Sequence, residues 1–295
     1  MTSVGADLSD SVRRALAEDL GSESLEVAYD VTSRLSVSAD QRGRGHIRAK
    51  APGVLAGIDC AVEVFRVLDG TCEVEVALRD GDLLAPGAEV LRFEGAMAPL
   101  LAAERTALNF LQRLSGVATR TRAFVERVAG TGARIFDTRK TTPGLRYLEK
   151  AAVVAGGGEN HRVGLFDQVL LKENHFGFAQ PTSYEDVVRR CVEGHDRPVI
   201  AEARTVEEAL AAVRGGAGVI LLDNFSAGPE LREAVDAVRS CAAGLGRVVD
   251  TEASGGIALE NVREYAECGV DRISVGSLTH SAPAVDMSMM VKGAQ

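Results

Sequence analysis

The chain has 295 residues, is 46% hydrophobic and carries a formal net charge of −9 at neutral pH. That length fits two domains, or one large α/β domain with an appendage, and the composition supports a sizeable core. The acidity argues against a broad nucleic-acid surface, and no apolar run approaches the ~18 residues of a membrane span.

An anionic ligand must therefore be met by a local cluster of cations. The cysteines, at 60, 72, 191, 241 and 268, contain no C-x-x-C, which argues against a zinc site or a disulfide framework. The opening MTSVGADLSD has neither a basic n-region nor an apolar h-region, so the expected compartment is a reducing cytoplasm.

Residues 9–21 predict a helix, with Ser9 or Ser11 as cap, apolar residues at 12, 16 and 20, and Gly21 as stop. Strands are expected at 45–50, 72–78 and 88–93, with a helix inside 54–70. The stretch 80–95 resembles a lipoyl-carrier hairpin, but no lysine stands at its tip, so a small antiparallel sheet is the better reading. A helix follows at 99–116, with Pro99 near its start and Gly116 after it, and a second at 117–129. On the first of these, Leu101 and Leu108 mark the packed stripe and Arg105 lies on its flank.

From residue 133 the texture changes. Short apolar runs at 133–137, 168–172, 198–202, 218–223, 247–252 and 272–276 alternate with Ala/Glu/Arg-rich helical patterns. Continuous apolar runs suit parallel strands buried on both faces. Each run ends in polar groups: Asp137 with Arg139 and Lys140, Lys172-Glu173-Asn174, Glu202, Asp223-Asn224, Glu252-Ala253-Ser254 and Gly276-Ser277. Strand ends that converge on one rim are the pattern of an α/β barrel, here an incomplete one with six strands; an open doubly wound sheet is the rival.

Segment 134–172 carries seven cationic side chains against four acids. Arg146 and Lys150 alternate with Glu149 and read as helix-surface charge. Arg139, Lys140, Arg162 and Lys172, with His161 beside them, read as a pocket for a small polyanion. Glu202 and Asp223 close successive strands. They fit either a magnesium site, a stabiliser of positive charge on a substrate, or ion pairs with neighbouring lysines. Ser254-Gly255-Gly256 and Gly276 follow the last two strands, where barrels bind phosphate. The glycines of 155–160 are followed by no G-K-[ST], so they read as a mobile loop that carries His161-Arg162.

The segments ERTALNFLQRLSGVAT, DTRKTTPGLR, GGGENHR, LFDQVLLKENH, ILLDNF and EASGGI occur in this order. Together they resemble the quinolinate phosphoribosyltransferase family over about residues 10–290. The resemblance implies an N-terminal open-faced α/β sandwich, residues 1–115, and a C-terminal incomplete α/β (TIM-like) barrel, residues 116–295. The helices to about 130 and the tail 280–295 are further candidates for packing on the first domain. It implies a homodimer, or a larger assembly, with active sites shared between subunits. The implied reaction joins quinolinate to phosphoribosyl pyrophosphate with Mg²⁺, giving nicotinate mononucleotide, pyrophosphate and CO₂. Carried over residue by residue, Arg139, His161, Arg162 and Lys172 match the carboxylate pocket, and Arg105 the arginine from the partner subunit. Lys140 matches a residue near pyrophosphate and ribose, and Glu202 and Asp223 the acids for ribose hydroxyls and magnesium. Ser254, Gly255, Gly256 and Gly276 match the 5-phosphate site. Two departures stand out: Ile200 replaces the first acid of a Glu-Val-Glu pattern, and Tyr29 stands where a glycine commonly precedes Asp30-Val31-Thr32.

Overall fold

The structure, a computed structural model, describes residues 4–294. In chain order its first half holds α1 (Val4–Leu20), α2 (Val31–Ser36), β1 (Arg42–Ala49), β2 (Gly53–Val54), α3 (Ile58–Leu68), β3 (Glu73–Val76), β4 (Leu83–Leu84), β5 (Glu89–Ala96) and α4 (Met97–Arg127). Then follow β6 (Arg134–Phe136), α5 (Arg146–Ala155), β7 (Leu170–Leu171), α6 (Glu173–Phe178), α7 (Tyr184–Glu193), β8 (Ile200–Ala203) and α8 (Val206–Gly215). The chain ends with β9 (Val219–Asp223), α9 (Pro229–Gly244), β10 (Asp250–Ser254), α10 (Val262–Ala266), β11 (Arg272–Ser274), α11 (Ser277–His280) and β12 (Met287–Gly293). Two compact units result. One takes the chain up to Arg122, Thr141–Gly157 and the residues from Leu278 onward; the other takes Ala123–Lys140 and Gly158–Ser277.

The first unit is built on an antiparallel sheet in the order β12-β1-β5-β3. Alternation along β1 and β5 buries Ile47, Ala49, Leu91 and Phe93. The amphipathic α3 contributes Cys60, Ala61, Val64 and Phe65 to the core, and Phe65 stacks on Phe93 with ring centroids 4.9 Å apart. Arg44, Arg92 and Glu94 alternate with the buried residues and stay exposed, so one face of the sheet is open.

Four expectations need correction in this unit. α1 begins at Val4, so Ser9 and Ser11 lie inside the helix and do not cap its start. α4 is one helix of 31 residues, not two broken at Gly116. Gly116 sits inside it because a Cβ there would lie 2.2 Å from the Pro283 carbonyl oxygen; the glycine serves a close approach, not a stop. Leu101 does not belong to the packed stripe: it is 36% exposed, on the same face as exposed Arg105 and Asn109, whereas Leu108 is buried. Finally, Glu149 and Lys150 are not surface charges, for both are buried. Glu149 accepts from the Arg113 guanidinium at 2.7 Å and from the N–H and hydroxyl of Thr142 at 3.0 and 2.7 Å. This tie helps hold 141–157 within the first unit.

The second unit is a six-stranded parallel sheet in the order β6-β11-β10-β9-β8-β7. Five strands follow one another in sequence and the first lies beside the last. A doubly wound sheet would reverse direction at a switch point; this order is that of a barrel open along one seam, between β6 and β7. The loop after α5 is not loose at its end. Glu159 forms a parallel bridge with Phe136, which fastens the start of 159–162 to the β6 edge.

Register sets which side chains share the inner face. Leu170, Ile200 and Val219 are partners across β7, β8 and β9 and form one buried cluster with Leu221. One step up, Glu202 pairs with Leu221, Leu221 with Glu252, and Glu252 with Arg272. Another step up, Asp223 pairs with Ser254. Since side chains two apart share a face, the core pattern itself places Lys172, Glu202, Asp223 and Ser254 above the apolar cluster.

Candidate active site

The acids and the lysine of β7–β9 meet. Glu202 is buried, and its carboxylate accepts from Lys172 Nζ at 2.9 Å and from the Glu173 N–H at 3.1 Å. Of the readings open for Glu202 in the sequence, an ion pair with a neighbouring lysine is therefore present. The Glu202 carbonyl accepts from the Tyr184 hydroxyl at 2.5 Å, and Tyr184 stacks on Phe176 of α6 at 3.7 Å. His175 Nδ1 accepts the Lys172 N–H at 2.9 Å, closing the first turn of α6. Lys172 and Glu202 are thus fixed at backbone as well as side chain.

Burial raises the Asp223 carboxyl above its ordinary value, and the Glu202 charge adds to the effect. Lys172, Arg204 and Lys140 act in the opposite sense, which puts all three within electrostatic reach of Asp223. Asn224 follows with a left-handed φ of 60° and donates from Nδ2 to Asp223 Oδ2 at 2.7 Å. Its backbone N–H bonds Ser254 O at 3.0 Å. Gly255, with φ +98°, lies so close that a Cβ would stand 2.3 Å from Asn224 Oδ1. The Ser254-Gly255-Gly256 loop is thus laid directly beside the Asp223 strand end.

Arg139 and Arg162 lie within electrostatic reach of each other. Burial lowers the Arg162 guanidinium from its usual value, and the charge of Arg139 lowers it further against the pull of Asp167. Like charges held together and partly desolvated favour an anion between them. Arg162 Nη1 also donates to Gln168 O at 3.3 Å. His161 is buried, its N–H bonding Asp137 Oδ1 at 2.8 Å and its ring Nδ1 accepting the Arg162 N–H at 2.8 Å. Gly276 lies between β11 and α11. Arg105 belongs to the first unit, on the exposed face of α4 beside a cleft of about 600 Å³ that Arg14, Asn109 and Pro143 also line.

The second unit accordingly holds Arg139, Lys140, His161, Arg162, Lys172, Glu202, Asp223, Ser254, Gly255, Gly256 and Gly276. Sequence reasoning placed Asn224 at a strand end without a site role and missed Arg204 and Arg272. Asn224 carries a faint signal, since Asn directly after a strand-end Asp tolerates the left-handed turn.

The arrangement offers cations for a polyanion, carboxylates for a developing positive charge, and a glycine loop open to phosphate. Known families and proteins resemble this chain over most of its length. Residues 30–115 match the quinolinate phosphoribosyl transferase N-terminal domain and residues 117–290 its C-terminal domain. The chain is 40% identical over 262 residues to the probable nicotinate-nucleotide pyrophosphorylase (carboxylating) of Bacillus subtilis, covering 89% of this chain and 88% of that protein. It is 40% identical over 283 residues to the nicotinate-nucleotide pyrophosphorylase (carboxylating) of Mycobacterium leprae, covering 95% of each. The nicotinate-nucleotide pyrophosphorylase structure from Francisella tularensis superposes with a TM-score of 0.87 at 33% identity, covering 99% of this chain and 98% of that one. The chain belongs to the quinolinate phosphoribosyltransferase family.

Proposed function

We propose that this protein transfers the phosphoribosyl group of phosphoribosyl pyrophosphate to quinolinate with loss of CO₂, yielding nicotinate mononucleotide for NAD biosynthesis. The observation that carries the reading is the charge gathered at the strand ends of the barrel unit: Arg139 and Arg162 within electrostatic reach of each other, and the acids Glu202 and Asp223 beside Lys172. Quinolinate is a dicarboxylate and suits the arginines, with Lys172 within reach of the second acid group. His161 Nδ1 accepts the Arg162 N–H. The 5-phosphate suits the N–H groups of Ser254-Gly255-Gly256 and Gly276, and Lys140 suits the pyrophosphate.

As the C1–oxygen bond to pyrophosphate breaks, positive charge grows on the sugar, and the carboxylates of Glu202 and Asp223 stabilise it. The pyridine nitrogen forms the new bond to C1, and pyrophosphate leaves with the electron pair of the broken bond. The ring is now cationic. Its C2 carboxylate departs as CO₂, the electron pair stays on C2 beside the charged nitrogen, and a proton from solvent completes nicotinate mononucleotide. No covalent enzyme intermediate is required.

Glu202 and Asp223 fit a magnesium ion, directly or through water. Burial and then the Glu202 charge raise Asp223, and a cation beside the two acids would offset this. Among the described residues no group of three or more His, Cys, Asp or Glu side chains is poised to hold a metal alone, which suits an ion shared with substrate phosphates. When bound, the ion would offset charge on the leaving pyrophosphate.

A homodimer, or a larger assembly, in which Arg105 completes the partner's site is part of the same proposal, and the exposure of Arg105 on α4 supports it. A cytoplasmic location is proposed from the free cysteines; no helix among the described residues is long and apolar enough to cross a membrane. Incubation with quinolinate, phosphoribosyl pyrophosphate and Mg²⁺ tests the function. Nicotinate mononucleotide by mass analysis with matching CO₂ release is expected; product without CO₂ from nicotinate in place of quinolinate would overturn it.

A further inference from the structure

Beneath the rim lies a charged layer that the proposed reaction does not use. Glu252 is fully buried in β10 although its place in the sequence reads as a strand end. Its register partner on β11 is Arg272, also buried, and Arg272 Nε lies 3.1 Å from Glu252 Oε2. The Arg272 guanidinium also sits over the Phe136 ring, 4.0 Å from its centroid. The other carboxylate oxygen, Oε1, faces His161 Nε2 at 3.4 Å. Burial alone would push Glu252 up, but His161, Arg272 and Ser274 outweigh it and hold the carboxyl below its usual value.

The hydrogen bond at Nδ1 points to the tautomer of His161. Nδ1 accepts the Arg162 N–H, so the proton of the neutral ring is on Nε2, the atom that faces Glu252. Both ring nitrogens are thereby turned to protein groups. The ring links a buried anion to the backbone of the residue whose guanidinium lines the anion pocket. Asp137, which directly follows β6, anchors His161 itself by accepting its N–H.

We propose that Glu252, held by Arg272, is a positioning residue for the carboxylate pocket: it sets the tautomer and plane of His161, and His161 Nδ1 sets the backbone of Arg162. This deepens the proposed function and rests on it. A buried carboxylate paired to one cation needs no histidine; the second contact is what makes the layer reach the substrate side. Substrate binding, not sugar chemistry, should then feel its loss.

The test is steady-state kinetics of Glu252→Gln and of the double variant Glu252→Gln/Arg272→Met, with ¹⁵N NMR of the histidine rings in the wild-type protein. The His161 signal is assigned by its loss in His161→Asn. Loss of one charge-assisted contact should raise the quinolinate KM about tenfold or more, with the phosphoribosyl pyrophosphate KM changed less than about twofold. The double variant leaves no unpaired buried charge, so it keeps the fold even where the single one does not. Positioning requires its quinolinate defect to persist. Recovery of the wild-type quinolinate KM, or an equal rise in both KM values, would overturn the proposal and leave only a structural pair. A wild-type His161 ring protonated on Nδ1 would overturn it as well. If the wild-type protein does not turn quinolinate over, the functional reading fails instead, while the ring tautomer still decides the arrangement of His161.

Discussion

Lys172 Nζ lies 2.9 Å from Glu202 Oε2. Under the proposed function these two residues serve different substrates, the lysine a pyridine carboxylate and the glutamate the sugar. In this structure the two form an ion pair, with the Glu202 side chain only 8% exposed. Under the proposed function Glu202 acts on charge that develops during reaction. Glu202→Gln should lower kcat by roughly 10²-fold, the scale of one lost electrostatic stabiliser, and leave quinolinate affinity nearly unchanged. Wild-type turnover at saturating magnesium would make Glu202 merely structural.

The arginines should show the converse pattern. Arg139→Ala or Arg162→Ala removes a charge-assisted contact in a partly desolvated pocket, which typically costs ~2–5 kcal/mol of binding. The loss should fall on quinolinate far more than on phosphoribosyl pyrophosphate. Calorimetric titration of each ligand against each variant decides it; equal losses with the fold intact would remove both arginines from the carboxylate pocket.

Asp223 carries a cost in stability. Its folded-state carboxyl is raised above 3.8 by burial and by Glu202, so the unfolded chain ionises it more readily. The folded state therefore binds the proton more tightly, and this contribution is lost as pH rises through the folded pKa. Asp223→Asn removes the penalty and retains an oxygen to accept from Asn224. Thermal melts near neutral pH should show the variant more stable than wild type, and the gap should close as pH falls below 3.8, where the aspartate is protonated in both states. Turnover should fall in the same variant. A melting temperature below wild type at neutral pH would show that the ionised carboxylate is held favourably.

The barrel and its rim were legible because parallel strands buried on both faces leave continuous apolar runs, and a residue two beyond a core residue must share its face. Lys172 after Leu170 and Glu202 after Ile200 follow from that rule alone. Glu252 and Arg272 do not, since a buried charge inside a strand looks locally like a charge at a strand end. Only the register across β10 and β11 pairs them. Glu149 misled for the same reason. Its spacing with Arg146 and Lys150 reads as solvated helix, and its burial depends on Arg113, 36 positions away. Gly116 reads as a stop because close approach of another segment leaves no local trace.

That close approach gives a stability prediction. Gly116→Ala would place a Cβ 2.2 Å from a backbone oxygen of Pro283, and backbone cannot yield as a flexible side chain does. The cost should be at least the ~1–3 kcal/mol usual for overpacking. Gly244, in the last turn of α9, has open space where a Cβ would stand, with nothing within 4 Å. Gly244→Ala should be neutral or stabilising by about 0.5 kcal/mol. Urea unfolding of the two variants side by side checks the contrast; similar midpoints would mean that the 278–295 segment shifts freely away from α4.

Arg105 tests the shared site. It lies on an exposed face of α4 with Leu101 and Asn109, in a unit separate from the other cations. Under the proposed homodimer it completes the partner's pocket. Arg105→Ala and Lys172→Ala should then each be inactive alone. In a mixed dimer one site collects both lesions and the other neither. Random exchange at equal amounts makes half the dimers mixed, and one of their two sites is intact. Activity should therefore recover to roughly a quarter of wild type, given two-fold symmetry and independent sites. Co-expression with differently tagged subunits supplies and verifies the mixing. Verified mixed dimers without activity would place Arg105 in its own subunit's site or outside the chemistry.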